Sequence, residues 1–213
     1  AVNVTEHLKK TLPKAHLCWG GTHPTIKPEE ALNFVDSVCL GEAEESLVEI
    51  LDLMEAGKDH RGVQNFWFKK NNNPSDIIMN DRKPLMMNLD DVPTYDYDLN
   101  GHYLFDHLKG EVIPMDSEVL RRASHVLPYF DNKLLKSYRT MTCRGCPHRC
   151  NYCSNSWLRD MYAPQAFLRH RSVDHCIAEL VDIKKKFPWV EIIQYFDDTF
   201  FAQGVKRMED FGK

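Results

Sequence analysis

Four of the chain's seven cysteines fall within eleven consecutive residues of "TMTCRGCPHRCNYC": Cys143, Cys146, Cys150 and Cys153. Thiolates are soft metal ligands, so their spacing decides what they can hold. Four could bind tetrahedral zinc. Zinc motifs usually come as two C-x2-C knuckles with a longer spacer, and three residues between knuckles is cramped. Ferredoxin-type loops also crowd their cysteines and often carry a proline. Their fourth ligand tends to arrive from elsewhere in the chain. A disulfide pair is the remaining structural reading. The inner triplet, Cys146-x3-Cys150-x2-Cys153, is the sharper pattern. It offers three thiolates to three irons of a [4Fe–4S] cube and leaves the fourth iron open for a substrate or cofactor. Cys143 then reads as a buried thiol on a strand, a common state for free cysteine.

The elements around the loop read as α/β. "LLKSYRTMTC" is a strand running into the cysteines. "SVDHCIAELVDIKKKFP" is a helix with Ser172 as N-cap and apolar Ile177, Leu180, Val181 and Ile183. "WVEIIQYFDDTFF" is a strand ending on Asp197 and Asp198, and a further helix begins near Gln203. Nearer the start, "AHLCWGG" and "SVCLG" are short apolar runs ending in glycine. The first is followed by the helix "KPEEALNFV" and the second by "EAEESLVEILDLMEAG", with Leu47, Ile50, Leu51 and Met54 at helical spacing. Strand–helix–strand–helix implies a parallel sheet. "NFWFKK" and "DIIMND" around "NNNPS" predict a small hairpin beyond that first domain. "LDDVPTYDYDLNGHY" reads as a linker with packed aromatics, and "SEVLRRASHVLPYF" as a short helix.

Composition is that of an ordinary soluble protein, 43% hydrophobic and 27% charged. A net charge of −4 argues against nucleic acid as the main partner. Lys184–Lys186 sit where a helix ends, suited to its negative pole. No apolar run approaches the roughly 20 residues that span a bilayer. Seven cysteines with four clustered favour metal or catalysis over structural disulfides, which places the protein in a reducing cytoplasm. The first residue is Ala1, and the expectation is a chain that begins inside a longer protein.

"CPHRCNYC" resembles the CxxxCxxC loop of the radical S-adenosylmethionine (SAM) superfamily. The resemblance implies that the open iron is chelated by the amino and carboxylate groups of SAM. It also implies that a reduced cluster cleaves the sulfonium to a 5′-deoxyadenosyl radical. Tyr152 matches an aromatic position whose neighbourhood receives the adenine. Asp197 or Asp198 matches the strand end that meets the methionine ammonium. "WGGTHPTIKPEEALNFVDSVCLGEAEESLVEIL" is similar to the end of the cobalamin-binding domain that precedes many radical SAM barrels, and "NLDDVPTYDYDL" to their connector. A cobalamin nucleotide tail is implied near Gly20, Gly21, Thr22 and Gly41, beyond the carboxyl ends of parallel strands. Absent side chains there let a bulky ligand approach the backbone. His23, followed by Pro24, is expected to shape that turn and not to ligate cobalt.

The expected architecture is therefore residues 1–57 as the end of a Rossmann-like cobalamin domain, 58–133 as hairpin and connector, and 134–213 as the opening of a (β/α) radical SAM barrel. The implied enzyme uses a [4Fe–4S] cluster, SAM and cobalamin to methylate an unactivated carbon of a small-molecule substrate. Its electron donor would be a flavodoxin or ferredoxin. A cobalamin-dependent cyclase or rearrangement enzyme, or a non-catalytic iron–sulfur or zinc module, are the alternative readings.

Overall fold

In the computed structural model, which describes residues 1–70, 73–128 and 132–213, the chain divides into two units, Ala1–Met86 and Met87–Lys213. The first is built on a four-stranded sheet in sequential order: β1 (Cys18–Trp19), β2 (Ser37–Cys39), β3 (Phe66–Lys70) and β4 (Asn73–Met79). β1 and β2 are parallel, as the glycine-ended apolar runs predict. β3 lies antiparallel on β2 and β4 antiparallel on β3. The hairpin expected beyond the first domain is thus the continuation of its sheet. Phe66 and Phe68 explain why: they are buried, and the sheet edge offers their strand both hydrogen bonds and cover. Part of the "NNNPS" connection lies outside the described residues.

Side chains of this sheet alternate with the period of the pleat. Val38, Leu40, Trp67 and Ile77 meet Ala31, Leu32 and Val35 on one side. Cys39, Phe66, Phe68 and Ile78 meet Ile50, Leu53 and Met54 on the other. Helices therefore cover both faces: α3 (Pro28–Leu32), with Pro28 opening the helix as expected, and α4 (Glu44–Glu55), with acids in its first turn. The buried stripe of α4 includes Ser46 and Ile50, while Leu47 and Leu51 are exposed, which corrects the stripe read from spacing alone. Two helices were not foreseen, α1 (Val2–Thr11) and α2 (Thr22–Ile26).

The second unit centres on β8 (Leu134–Thr140), flanked by β11 (Ile192–Tyr195) in parallel and β7 (Val126–Pro128) antiparallel. α7 (Val173–Lys186) connects the parallel pair, and the Ser172 hydroxyl accepts from the His175 N–H at 3.0 Å, the expected N-cap. Its buried residues are Cys176, Glu179 and Ile183. Ile177 and Val181 face outward and a carboxylate faces inward, contrary to the apolar stripe predicted. Ile183, Phe187 and Val190 form the core with Tyr97, Leu99, Tyr138 and Ile193. Of the linker's aromatics Tyr97 packs as expected, while Tyr95 and Tyr103 are exposed. At the end of that linker begins an unforeseen hairpin, β5 (Tyr103–Asp106) with β6 (Glu111–Pro114). The short helix expected next is α5 (Ser117–Ala123), capped by Asp116, whose carboxylate accepts from the Val119 N–H. The end of that predicted segment, at Phe130, lies outside the described residues. α6 (Ser154–Tyr162) follows the cysteines, and α8 (Val205–Phe211) ends the unit. No helix among the described residues is long and apolar enough to cross a membrane.

Candidate functional site

β8 ends at Thr140, and the cysteine loop leaves the sheet at the carboxyl end of the parallel pair. Its first residues form β9 (Cys143–Arg144), paired antiparallel with β10 (Arg169–His170). Gly145 follows with φ +88°, and a Cβ there would lie 2.2 Å from the Phe167 carbonyl oxygen. Only glycine suits this position, for both conformation and close approach. The loop then closes on α6. Ser156 Oγ donates to the Cys150 carbonyl at 2.9 Å, Cys153 N–H to the same carbonyl at 3.1 Å, and the Arg159 guanidinium to the carbonyl of Pro147. These bonds satisfy backbone that no strand or helix serves.

Cys146 is buried, while Cys150 and Cys153 are half-buried. Among the described residues, no three His, Cys, Asp or Glu side chains converge as they would on one metal ion. Tetrahedral zinc needs such convergence. A cube asks less, because each thiolate meets its own iron. The donor set, three cysteines on one pinned loop, fits a cube in ligand type and number. Cys143 is the buried strand thiol expected, 2% exposed, with the Gln203 amide donating to its Sγ at 3.4 Å. Burial pushes this thiol's pKa up, and the neighbouring Asp197 carboxylate adds to the shift.

The two aspartates sit just past β11. Asp197 Oδ1 accepts from the Thr142 and Cys143 N–H groups at 2.7 and 2.8 Å, and Oδ2 from the Thr142 hydroxyl at 2.9 Å. Asp198 is exposed, and its Oδ2 accepts from the Asn155 amide at 2.7 Å. Tyr152 is 93% exposed.

A buried polar network lies behind the loop. Glu179, 2% exposed, accepts from the hydroxyls of Tyr138 and Thr140 at 2.5 and 2.7 Å and pairs with Arg171. Arg171 also donates to the Met141 carbonyl at 3.0 Å. Tyr97 hydrogen-bonds Tyr138, and burial pushes the Tyr97 hydroxyl's pKa up to about 12. Asp90 stands 3.2 Å from His175 and accepts from the Ser172 N–H at 2.7 Å. Burial alone would raise the Asp90 pKa. Hydrogen bonds from Ser172 and the charges of His175 and Arg171 outweigh it and hold the pKa low. Neither Glu179 nor Arg171 was foreseen. An acid and a base eight residues apart leave no periodic signature that separates a buried pair from a solvated one.

In the first unit, Gly20, Gly21 and Thr22 are exposed beyond β1, and Gly41 follows β2. Gly21, at φ +93°, has open space where a Cβ would stand, and Gly41 sits at φ +72°. One side chain joins the two turns: the buried Thr25 hydroxyl donates to the Gly21 carbonyl at 2.8 Å and accepts from the Gly41 N–H at 3.0 Å. Sequence reasoning singled out Thr22 and missed Thr25. His23 is exposed, 4.0 Å from Glu30. Asn65, buried at φ +69°, ties the following turn by donating to the Glu42 carbonyl at 2.7 Å and accepting from the Lys83 N–H at 2.6 Å.

No protein-family model matches the chain. Among curated proteins, an uncharacterized methyltransferase of Pyrococcus horikoshii is 26% identical over 203 residues, covering 94% of this chain and 37% of that protein. The chain thus spans little more than a third of the relative it matches. Among solved structures, its fold is similar to the radical SAM methyltransferase TsrM of Kitasatospora setae, with tryptophan and a SAM analogue bound. The TM-score is 0.60 at 13% identity, covering 92% of this chain and 32% of that one. It is also similar to the cobalamin-dependent SAM radical enzyme OxsB with aqua-cobalamin and SAM bound, with a TM-score of 0.61 at 17% identity over 98% of this chain and 25% of that one. A second TsrM structure, holding cobalamin and a [4Fe–4S] cluster, matches with a TM-score of 0.52.

Proposed function

We propose that this chain is part of a cobalamin-dependent radical SAM enzyme, a methyltransferase acting on an unactivated carbon of a small molecule. The observation that carries the reading is a conjunction. A three-cysteine loop stands at the carboxyl end of a parallel strand, in a chain whose fold resembles, over 92–98% of its length, enzymes described with cobalamin, SAM and a [4Fe–4S] cluster. Methyl transfer is favoured over cyclisation or rearrangement because the Pyrococcus relative and TsrM are both described as methyltransferases.

In this reading Cys146, Cys150 and Cys153 hold the cube, and β8 and β11 are the first strands of a barrel. When bound, the cluster and SAM supply a 5′-deoxyadenosyl radical, and cobalamin supplies the methyl carrier. The chain's own residues hold and orient. Arg159 and Ser156 fix the loop carbonyls of Pro147 and Cys150 and so hold the course of the loop that carries the three thiolates. Tyr152, exposed beside Cys153, would line the place that receives adenine. Of the two aspartates, Asp198 is the exposed and less engaged one and would accept from an ammonium group. Gly20, Gly21, Thr22 and Gly41 admit the cobalamin tail at the open strand ends. A flavodoxin- or ferredoxin-type protein donates the electron.

The test uses the full-length protein, loaded with iron and sulfide under anoxia, reduced with SAM and assayed for 5′-deoxyadenosine. Product from the parent and none from Cys150→Ala is the expected result. Asp198→Ala, losing a charge-assisted bond of about 1.5–3 kcal/mol, weakens SAM affinity about 10- to 150-fold. No product, with no EPR change on adding SAM, supports the electron-transfer or binding-module reading instead.

A further inference from the structure

One dipeptide at the end of β11 touches both ends of the cysteine loop. Asp197 meets the inbound end, at Thr142 and Cys143, and Asp198 the outbound end, at Asn155, two residues after Cys153. We propose that Asp197 is a positioning residue that sets the course of the cysteine loop, and that Asp198, the exposed member of the pair, is the one that receives a ligand's positive charge. The proposal rests on the reading of this loop as a cluster site.

The bonding of the strand end carries it. Past Thr140 the chain leaves β11 for the short β9–β10 pair, and the N–H groups of Thr142 and Cys143 turn toward Asp197. Both donate to one oxygen of Asp197, and the Thr142 hydroxyl donates to the other. A carboxylate has about four acceptor sites, and three are taken. On the opposite edge, the Arg171 N–H donates to the Thr142 carbonyl at 2.9 Å, and the Arg171 guanidinium to the Met141 carbonyl. The Thr142 hydroxyl is also 3.2 Å from the Gln203 side chain. Thr142 is fully buried and Cys143 nearly so. The segment is thus gripped on its donor edge by a carboxylate and on its acceptor edge by an arginine, three residues before Cys146. Asp197 is only part-exposed, and about one acceptor site remains to it, so most of its capacity is spent on the loop. Asp198 is exposed and accepts a single hydrogen bond among the described contacts.

The experiment compares Asp197→Asn and Asp198→Asn in the full-length protein, reconstituted anoxically. An asparagine at 197 removes the negative charge that the Thr142 and Cys143 N–H groups face, so their charge-assisted bonds become weaker neutral ones. Expected for Asp197→Asn are iron loss to a chelator at least about tenfold faster, an altered cluster EPR spectrum without SAM, and an unchanged SAM concentration for the half-maximal spectral response. Thr142→Val, which keeps both backbone bonds to Asp197 and removes the hydroxyl's contacts with Asp197 and Gln203, moves iron retention in the same direction by less. Asp198→Asn keeps the parent's iron retention and shifts the SAM response about 10- to 150-fold. The reverse pattern, with Asp197→Asn impaired only in its response to SAM, overturns the assignment. Hydrogen exchange at the Thr142 and Cys143 amides decides the geometry without any cluster. It is faster in Asp197→Asn and unchanged in Asp198→Asn, and equal rates in parent and Asp197→Asn reject the positioning role. A parent that takes up no iron rejects the cluster reading, and the exchange rates still decide this one.

Discussion

Gly145 shows how narrowly a single residue can be prescribed. Its left-handed φ disfavours any side chain, and the Phe167 carbonyl stands where a Cβ would go. The strain costs about 1–3 kcal/mol, and the 2.2 Å contact adds displacement of backbone on one side of the cysteine loop. Gly204 is a built-in control, because it has φ +92° but open space around a Cβ. Gly204→Ala therefore suffers strain alone. Gly145→Ala is expected to lower the unfolding midpoint further and to reduce iron uptake, which Gly204→Ala spares. Chemical denaturation and iron analysis of the two variants check this, and equal losses would show that the contact with Phe167 is dispensable.

At the scale of the element, α7 is oriented by a charge as much as by apolar residues. Ile183 packs into the core, but four residues earlier the same face presents Glu179. A buried carboxylate is tolerable only with partners, and Tyr138, Thr140 and Arg171 supply them. Removing one member of such a pair strands the other. Glu179→Ala is expected to cost about 3–5 kcal/mol, read as a fall in denaturant midpoint. Glu179→Leu combined with Arg171→Met, which removes both charges, recovers part of the loss. A single-variant cost below about 1 kcal/mol, the range of solvent-exposed pairs, would mean that water reaches this pair.

At the scale of the molecule, the features assigned to cobalamin all lie in Ala1–Met86 and those assigned to the cluster all lie in Met87–Lys213. Loss of one cofactor should therefore leave the other. Gly20 is the better probe of the first unit, since a Cβ there makes an ordinary 3.9 Å contact with Cys39, whereas Gly21 would add backbone strain. In the full-length protein, Gly20→Leu is expected to abolish corrinoid absorbance while keeping the iron content. Cys146→Ala should do the opposite. Simultaneous loss of both cofactors from either variant would contradict separate sites.

The sequence by itself determined what local chemistry can determine. Apolar runs ending in glycine announced β1 and β2, Ser172 announced the start of α7, and "LLKSYRTMTC" announced the strand that runs into the cysteines. Each of those signals lies within one element or at its boundary. It could not announce that the hairpin Phe66–Met79 continues the first sheet, because strand partners are chosen by edges and cover far away in the chain. Nor could it tell Asp197 from its neighbour. Two adjacent carboxylates are equivalent in a sequence, and only the course of the chain past Thr140 gives one of them two backbone N–H groups to hold. Thr25, Glu179 and Arg171 were hidden for the same reason. The bonds that define them reach across the fold, and a polar residue acquires such a role only when folding removes water from it.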